Sequence, residues 1–483
     1  VYGINVKIIK GIKDLIISPL TKLINLCIKQ SVFPDCLKMA VVVPIYKKGD
    51  TQDPTNYRPI ALLPIFAKIF ERILFDQLEN YLELNKLFSD DQFGFRKRRN
   101  TSDAVRGLVD FVGRCFERGR IGVASFLDLS KAFDCVSHPI LLDKLNMYNL
   151  DSSSVKLLKS YLENRCQVVK VKGKLSQCLT ISRGVPQGSI LGPLLFLIFI
   201  NDLPFCLTSK TTLFADDTTL ASEVSEIESV CRAGALARSE ALEWFNNNDL
   251  CLNMEKSVNV IFTLKRIEVP PNFNDSVRFL GIYLDSKLTW AVHGNFLANK
   301  ISKSIFLLNN LKEQVSHDTL RAAYYALLEA HLSYGIIIWG HSAIRHRLFR
   351  LQRKAIRILA KLGFREDCRN KFVDMKILTL PSLYIFHCLT YIKCNLDNYN
   401  RHNDVHSYNT RHNDKLCPRR CRITKTQNGV EFYAIKFYNK LPAQIKELKI
   451  GIFKKTIKKV LLSKAYYEID DFLKDSPWIY EIV

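Results

Sequence analysis

The 483 residues are 47% hydrophobic and 24% charged, the make-up of a folded soluble protein but too long for one ordinary core, so two or three domains are expected. The formal charge of +23 is unevenly placed. Residues 286–483 carry 34 Lys+Arg against 16 Asp+Glu, hence +18 of the excess, which favours a polyanionic partner, nucleic acid first and membrane surface second.

No transmembrane helix is evident: the longest strongly apolar run, Leu194–Ile200, is closed by Asn201-Asp202 far short of the ~20 residues that cross a bilayer. The fourteen cysteines are scattered without paired zinc spacing or a dense secreted framework, which reads as a reduced, intracellular compartment, nucleus or cytoplasm. Cys417 and Cys421 lie near His402, His406 and His412, but their spacing fits no common zinc pattern and reads as incidental. The chain opens at Val1 without methionine and enters helical sequence almost at once, as a fragment of a larger product would.

In chain order, Ile12, Leu15, Ile16, Leu20, Leu23 and Ile24 recur at helical spacing until Phe33-Pro34 breaks the pattern, predicting a helix within 1–30. The β-branched run Lys38–Tyr46 predicts a strand. After Asn56-Tyr-Arg-Pro-Ile, a helix is expected from Ile65 to Leu84 with Ile69, Ile73 and Leu74 inward. Gln92-Phe-Gly-Phe-Arg-Lys-Arg-Arg is basic, broken by glycine and flanked by aromatics, a composition suited to phosphate contact and base stacking.

A strand at 123–128 leads into helix through Leu145, and two strands follow near 167–172 and 179–182. Arg183-Gly-Val-Pro-Gln-Gly-Ser then precedes an apolar helix over 191–203. Residues 226–247 read as helix, while Cys251–Phe262 and Phe279–Leu284 read as strands. Strands and helices mix without βαβ repetition, which predicts an α+β core of antiparallel sheet backed by helices. From Trp290 the pattern is helical. In 345–361, Leu348, Leu351, Ile358 and Leu359 are available for a core while Arg347, Arg350, Arg353, Lys354, Arg357 and Lys361 add charge. Residues 396–430 read as a polar linker, and 431–449 and 453–464 resume helical spacing.

Within this pattern Leu213-Phe-Ala-Asp-Asp-Thr-Thr-Leu sets Asp216 and Asp217 at a hairpin tip, and Asp128 ends the strand Val123–Asp128. Three converging carboxylates repel one another, so the cluster makes sense when divalent cations neutralise it, and Mg²⁺ prefers such oxygen ligands. That chemistry suits two-metal phosphoryl transfer.

Seven blocks now stand in one order: Asn56-Tyr-Arg-Pro-Ile, Gln92-Phe-Gly-Phe-Arg, Phe126-Leu-Asp-Leu-Ser-Lys-Ala-Phe-Asp, Gly184-Val-Pro-Gln-Gly-Ser-Ile-Leu-Gly-Pro, Phe214-Ala-Asp-Asp, Leu252-Asn-Met-Glu-Lys and Phe279-Leu-Gly. This order closely resembles the reverse transcriptases of non-long-terminal-repeat, jockey-like retrotransposons. The resemblance runs from about Phe33 to Trp290 and continues weakly through Trp339-Gly, Tyr408-Asn-Thr-Arg and Asn439-Lys-Leu-Pro.

The resemblance implies a right-hand polymerase: a helical remnant over 1–30, fingers and palm over 31–285, a helical thumb over 286–395 and a basic extension over 396–483. It implies RNA-directed DNA synthesis from dNTPs on an RNA template and a DNA primer. Two Mg²⁺ ions, with Mn²⁺ as the alternative, would be held by Asp128, Asp216 and Asp217 with the Leu129 carbonyl.

By the same resemblance Phe133 excludes a 2′-hydroxyl, Gln187 and Gly188 line the nucleotide pocket, and Arg58 binds triphosphate oxygens. Arg96 contacts the template, Lys256 is a proton donor near the pyrophosphate, and Phe279, Leu280 and Gly281 support the primer end. No endonuclease block precedes the resemblance and no ribonuclease H carboxylate set follows it. A decayed remnant that binds nucleic acid without synthesis, and another palm polymerase such as one that makes RNA, are the competing classes. The sequence sets no oligomeric state.

Overall fold

The computed structural model describes residues 4–405, 414–427 and 429–475. Tyr408-Asn-Thr-Arg, His406 and His412 lie outside them. The chain divides into two compact units, one of Val1–Ala104 with Val123–Asn259, the other of Val105–Gly122 with Val260–Val483. Residues 286–395 and 396–483 thus fall in one unit, and so does the Phe279–Gly281 block, which the resemblance grouped with residues 31–285.

The strands are β1 (Met39–Tyr46), β2 (Tyr57–Leu62), β3 (Ile121–Leu129), β4 (Arg165–Val171), β5 (Lys174–Leu175), β6 (Leu179–Ile181), β7 (Lys210–Phe214), β8 (Asp217–Val224), β9 (Leu252–Phe262), β10 (Ser276–Phe279) and β11 (Ile282–Asp285). One sheet runs β2-β1-β4-β5, with β6 also on β4, and another runs β7-β8-β3-β9. The fold is α+β with antiparallel hairpins, as expected, and one parallel pair, β1 with β4. Strand β2 was not foreseen, because Pro59 lies within it. Pairing of β2 with β1 sets Pro59 opposite Pro44, and a proline in a strand ordinarily argues against one.

The core of the first unit is built around the helix Gly192–Ile200, buried all round except at Pro193. A helix apolar on every side has no solvent face to offer and must sit centrally. Phe33, Phe70, Leu141, Tyr161 and Phe245 pack into the same cluster. The helix Ile65–Leu84 spans the residues expected, with Leu74 buried.

The amino-terminal helices, Val6–Gly11 and Lys13–Gln30, form as expected but bury only Ile24. Leu15 and Leu23 are 79% and 60% exposed, whereas Leu20, Cys27 and Ile28 pack with Ile24 against the core of the first unit. Helices Thr101–Glu117 and Ser152–Leu162 were not singled out in the sequence.

The second unit is helical around the hairpin β10–β11. Its amphipathic helix Ile344–Leu359 buries Leu348, Phe349, Gln352, Ala355, Ile356 and Leu359, leaving Leu351 and Ile358 half-buried. Among the described residues no helix is long and apolar enough to cross a membrane.

Candidate active site

Hairpin β7–β8 turns through Ala215 and Asp216, with Phe214 paired to Asp217. The sheet order sets β3, which carries Asp128, beside β8, and β9 beyond it. Ser130 N–H donates to the Cys251 carbonyl at 2.8 Å, and the Ser125 hydroxyl donates to Asn259 Oδ1 at 2.8 Å. These bonds register β9 against β3 so that Lys256 Nζ lies 3.5 Å from Asp128 Oδ2.

The three carboxylates form one electrostatic group. Asp217 is pushed up to about 6 by its enclosed surroundings and then by the charges of Asp216 and Asp128. Burial and Asp128 also raise Asp216, while its own backbone and Arg58 oppose the rise. Carboxylates held in such mutual repulsion are hard oxygen donors short of positive charge, the donor set that a divalent cation fits. Among the described residues no three acidic, His or Cys side chains are already arranged as a closed metal cage. Asp128 is turned instead to the Lys256 ammonium.

The turn before Asp216 is held by a residue that the sequence reading left without a role. Gln92 is wholly buried, and its Oε1 accepts from Gly94 N–H at 2.8 Å and Ala215 N–H at 3.1 Å. Phe93 N–H donates to the Leu213 carbonyl and Leu213 N–H to the Asp91 carbonyl, each at 2.8 Å. Residues 91–94 therefore add a short edge to β7. Gly94 is required there, since a Cβ would lie 2.3 Å from the Ala215 nitrogen. The signal lay in the Gln-x-Gly spacing, legible only once the partner strand is known.

The nucleotide-pocket block is pinned to β2. Ala61 N–H donates to the Gln187 carbonyl at 2.7 Å, and Gly188 has φ +120° with the Ala61 oxygen 2.6 Å from any added Cβ. The Gln187 amide donates to Asp134 Oδ1 at 3.0 Å. Glu71, buried in the helix Ile65–Leu84, accepts from Ile190 N–H at 2.6 Å and from the Tyr161 hydroxyl at 3.1 Å. Phe133 is half core: its ring stacks on Phe196 at 4.5 Å and meets Phe95 edge-on at 6.3 Å.

Arg96, assigned to the template by resemblance, is engaged within the protein. Its guanidinium donates to Glu83 at 3.1 and 3.0 Å and to the Ser89 carbonyl at 2.7 Å, and it lies over the Phe88 ring. Phe279, Leu280 and Gly281 lie in the second unit. Phe279 is buried, Leu280 and Gly281 turn the β10–β11 hairpin, and the Tyr334 hydroxyl donates to the Leu280 carbonyl at 2.5 Å.

The second unit also contains a cavity of about 1270 Å³ lined by Arg114, Tyr399, Arg419, Arg420, Lys425 and Phe432 among others. Its wall is fastened by Glu117, whose carboxylate accepts from Arg422 N–H at 2.8 Å, from Ile423 N–H at 3.1 Å and from the Thr426 hydroxyl.

A family model described as reverse transcriptase (RNA-dependent DNA polymerase) matches residues 45–284. The probable RNA-directed DNA polymerase from transposon X-element of Drosophila melanogaster is 31% identical over 384 residues, 75% of this chain and 42% of that protein. The RNA-directed DNA polymerase from mobile element jockey of Drosophila melanogaster is 29% identical over 393 residues, 76% of this chain and 43% of that protein. The chain thus spans less than half the length of the curated relatives it matches. A solved structure of apo telomerase from Candida tropicalis overlays with a TM-score of 0.43 at 12% identity, covering 75% of this chain and 66% of that one.

Proposed function

We propose that the chain, whose residues 45–284 match the reverse transcriptase family model, is the polymerase part of a non-long-terminal-repeat retrotransposon protein, making DNA on an RNA template. The observation that carries this reading is the coupled Asp128, Asp216 and Asp217 group, flanked by the cations Arg58 and Lys256. In the reaction a primer 3′-oxygen bonds to the α-phosphorus of a dNTP and the bond to pyrophosphate breaks.

The three carboxylates, with the Leu129 carbonyl, would hold two Mg²⁺ ions, or Mn²⁺. Bound there, the ions lower the pKa of the 3′-hydroxyl and stabilise the leaving pyrophosphate. The protein's own part is positioning and charge. Arg58, exposed on β2 and acting on Asp216, suits a contact to triphosphate oxygens. Lys256, 3.5 Å from Asp128 Oδ2, would be the proton donor to the departing pyrophosphate. Gly188, whose missing side chain lets the backbone close on Ala61 of β2, and Gln187, tied to Asp134, would shape the wall of the nucleotide pocket. Phe133, stiffened by Phe196, stands against a 2′-hydroxyl.

Phe279, Leu280 and Gly281 support the primer end, while the second unit supplies thumb and basic extension for the RNA. Arg96 serves the template indirectly, by fixing the segment around it.

Primer extension on an RNA template with Mg²⁺ and dNTPs tests the reading. Incorporation that Asp217→Asn abolishes is expected. Folded protein that binds RNA in a salt-sensitive way without incorporation would be a nucleic-acid-binding remnant instead.

A further inference from the structure

Segment 91–99 spends nearly all of its side chains on the protein. Gln92 and Gly94 are fixed to the hairpin turn, and Arg96 is fixed to Glu83 and Ser89. Lys97 pairs with Glu79 at 2.6 Å and Arg99 with Asp90 at 2.9 Å. Between the anchors at Gly94 and Arg96 stands Phe95, 55% exposed with φ +50°.

A bulky residue in the left-handed region is an outlier that needs a reason. Trp290 is also left-handed, at φ +67°, but its ring is 3% exposed, so burial offsets the strain. Phe95 has no such offset. Its backbone is held in a costly conformation and its ring faces water, while the ring edge rests on Phe133 and through it on buried Phe196. The arrangement is an aromatic ladder rising from the core to the surface, clamped through Gln92 to the residue preceding Asp216.

We propose that Phe95 is a nucleobase-stacking residue, presenting a pre-organised face to the base of the incoming nucleotide. This rests on the polymerase reading and extends it to a binding role for a residue outside the inferred catalytic group. A flat heterocycle is the favoured ligand because Phe95 offers water an apolar ring beside the paired cations Arg96, Lys97 and Arg99, while exposed Arg98 suits phosphate rather than a base. Stacking accepts every base, since each has a π-face. Ordering the platform in advance spares the cost of ordering it at each nucleotide addition.

Steady-state single-nucleotide incorporation by Phe95→Ala, Phe95→Gly and Phe95→Tyr tests it. Alanine and glycine should both raise KM about 10-fold for all four dNTPs with little change in kcat, matching the loss of one stacking contact. Tyrosine should restore KM. Glycine, free to adopt φ +50°, should melt no lower than wild type, separating the ring's role from the backbone's. Unchanged KM in Phe95→Ala, or a defect rescued by glycine, overturns the proposal while the polymerase reading stands.

If the wild type fails to incorporate at all, the polymerase reading falls. The stacking claim is then judged by binding of a fluorescent 2-aminopurine nucleotide. Quenching that is lost in Phe95→Ala and kept in Phe95→Tyr supports the claim, and quenching equal in all variants overturns it.

Discussion

Glu71 Oε2 accepts the backbone N–H of Ile190 at 2.6 Å, joining the buried face of the helix Ile65–Leu84 to the loop that carries Gln187 and Gly188. Burial raises the Glu71 pKa, opposed by the Ile190 bond, by the Arg165 charge and by the Tyr161 hydroxyl. Arg165 is itself 1% exposed, with Nε and Nη2 lacking hydrogen-bond partners. Glu71→Ala therefore strands a buried cation and frees the loop. A loss of about 3 kcal/mol in denaturant unfolding is expected, together with a raised KM for dNTPs. An unchanged midpoint would show that Arg165 does not depend on this carboxylate.

Asp217 is raised to about 6 by enclosure and by Asp216 and Asp128, so its ionised form burdens the metal-free fold. Asp217→Asn should stabilise that fold by about 1 kcal/mol at pH 7.5, a figure discounted because solvent reaches the group. It should also abolish incorporation. Thermal melts with and without Mg²⁺ provide the check: the wild type should gain more from the ion than the variant does.

Glu329 is pushed up to about 7 by burial, with Lys458 opposing, and its Oε2 is buried without a hydrogen-bond partner. An acid raised in the folded state binds its proton more tightly there than in the unfolded chain. Its stabilisation is thus complete below the ordinary glutamate value near 4.5 and is lost as pH climbs to about 7. Glu329→Gln should flatten this part of the stability profile and gain about 2 kcal/mol at pH 8. Urea unfolding at pH 5 and pH 8 would measure both.

Arg419 and Arg420 line the second unit's cavity and are exposed, and neither forms an ion pair among the described residues. If they neutralise RNA phosphates, Arg419→Ala/Arg420→Ala should lower the slope of log K against log salt by about 1.4, roughly 0.7 per lost contact to a single strand. Extension of a short primer–template should persist at low salt. A slope equal to wild type would assign these charges to solubility.

The strands bearing Asp128, Asp216 and Asp217 were legible because short apolar runs ending in carboxylates are local patterns, and the hairpin β7–β8 has only two residues between its strands. The supports were not. Gln92 and Ala215 meet across 123 positions, and Glu71 and Ile190 across 119. Nothing in the local composition marks one buried glutamine or glutamate as a clamp for a distant N–H. Arg96 is the complementary case: a cationic run does not disclose the carboxylate partners, such as Glu83, that folding brings near. The exposed stripe at Leu15 and Leu23 shows that periodicity locates an apolar face without saying what covers it.

The clasp between Glu117 and the 422–426 segment joins backbone 305 residues apart. At ordinary ribosomal rates, roughly 15–60 s elapse between synthesis of the first partner and arrival of the second. The helix ending at Glu117 is therefore made well before the segment that completes its seating. A chain cut short before Arg422 would leave that joint unmade, so the helix Thr101–Glu117 would lose partners that no nearer segment supplies.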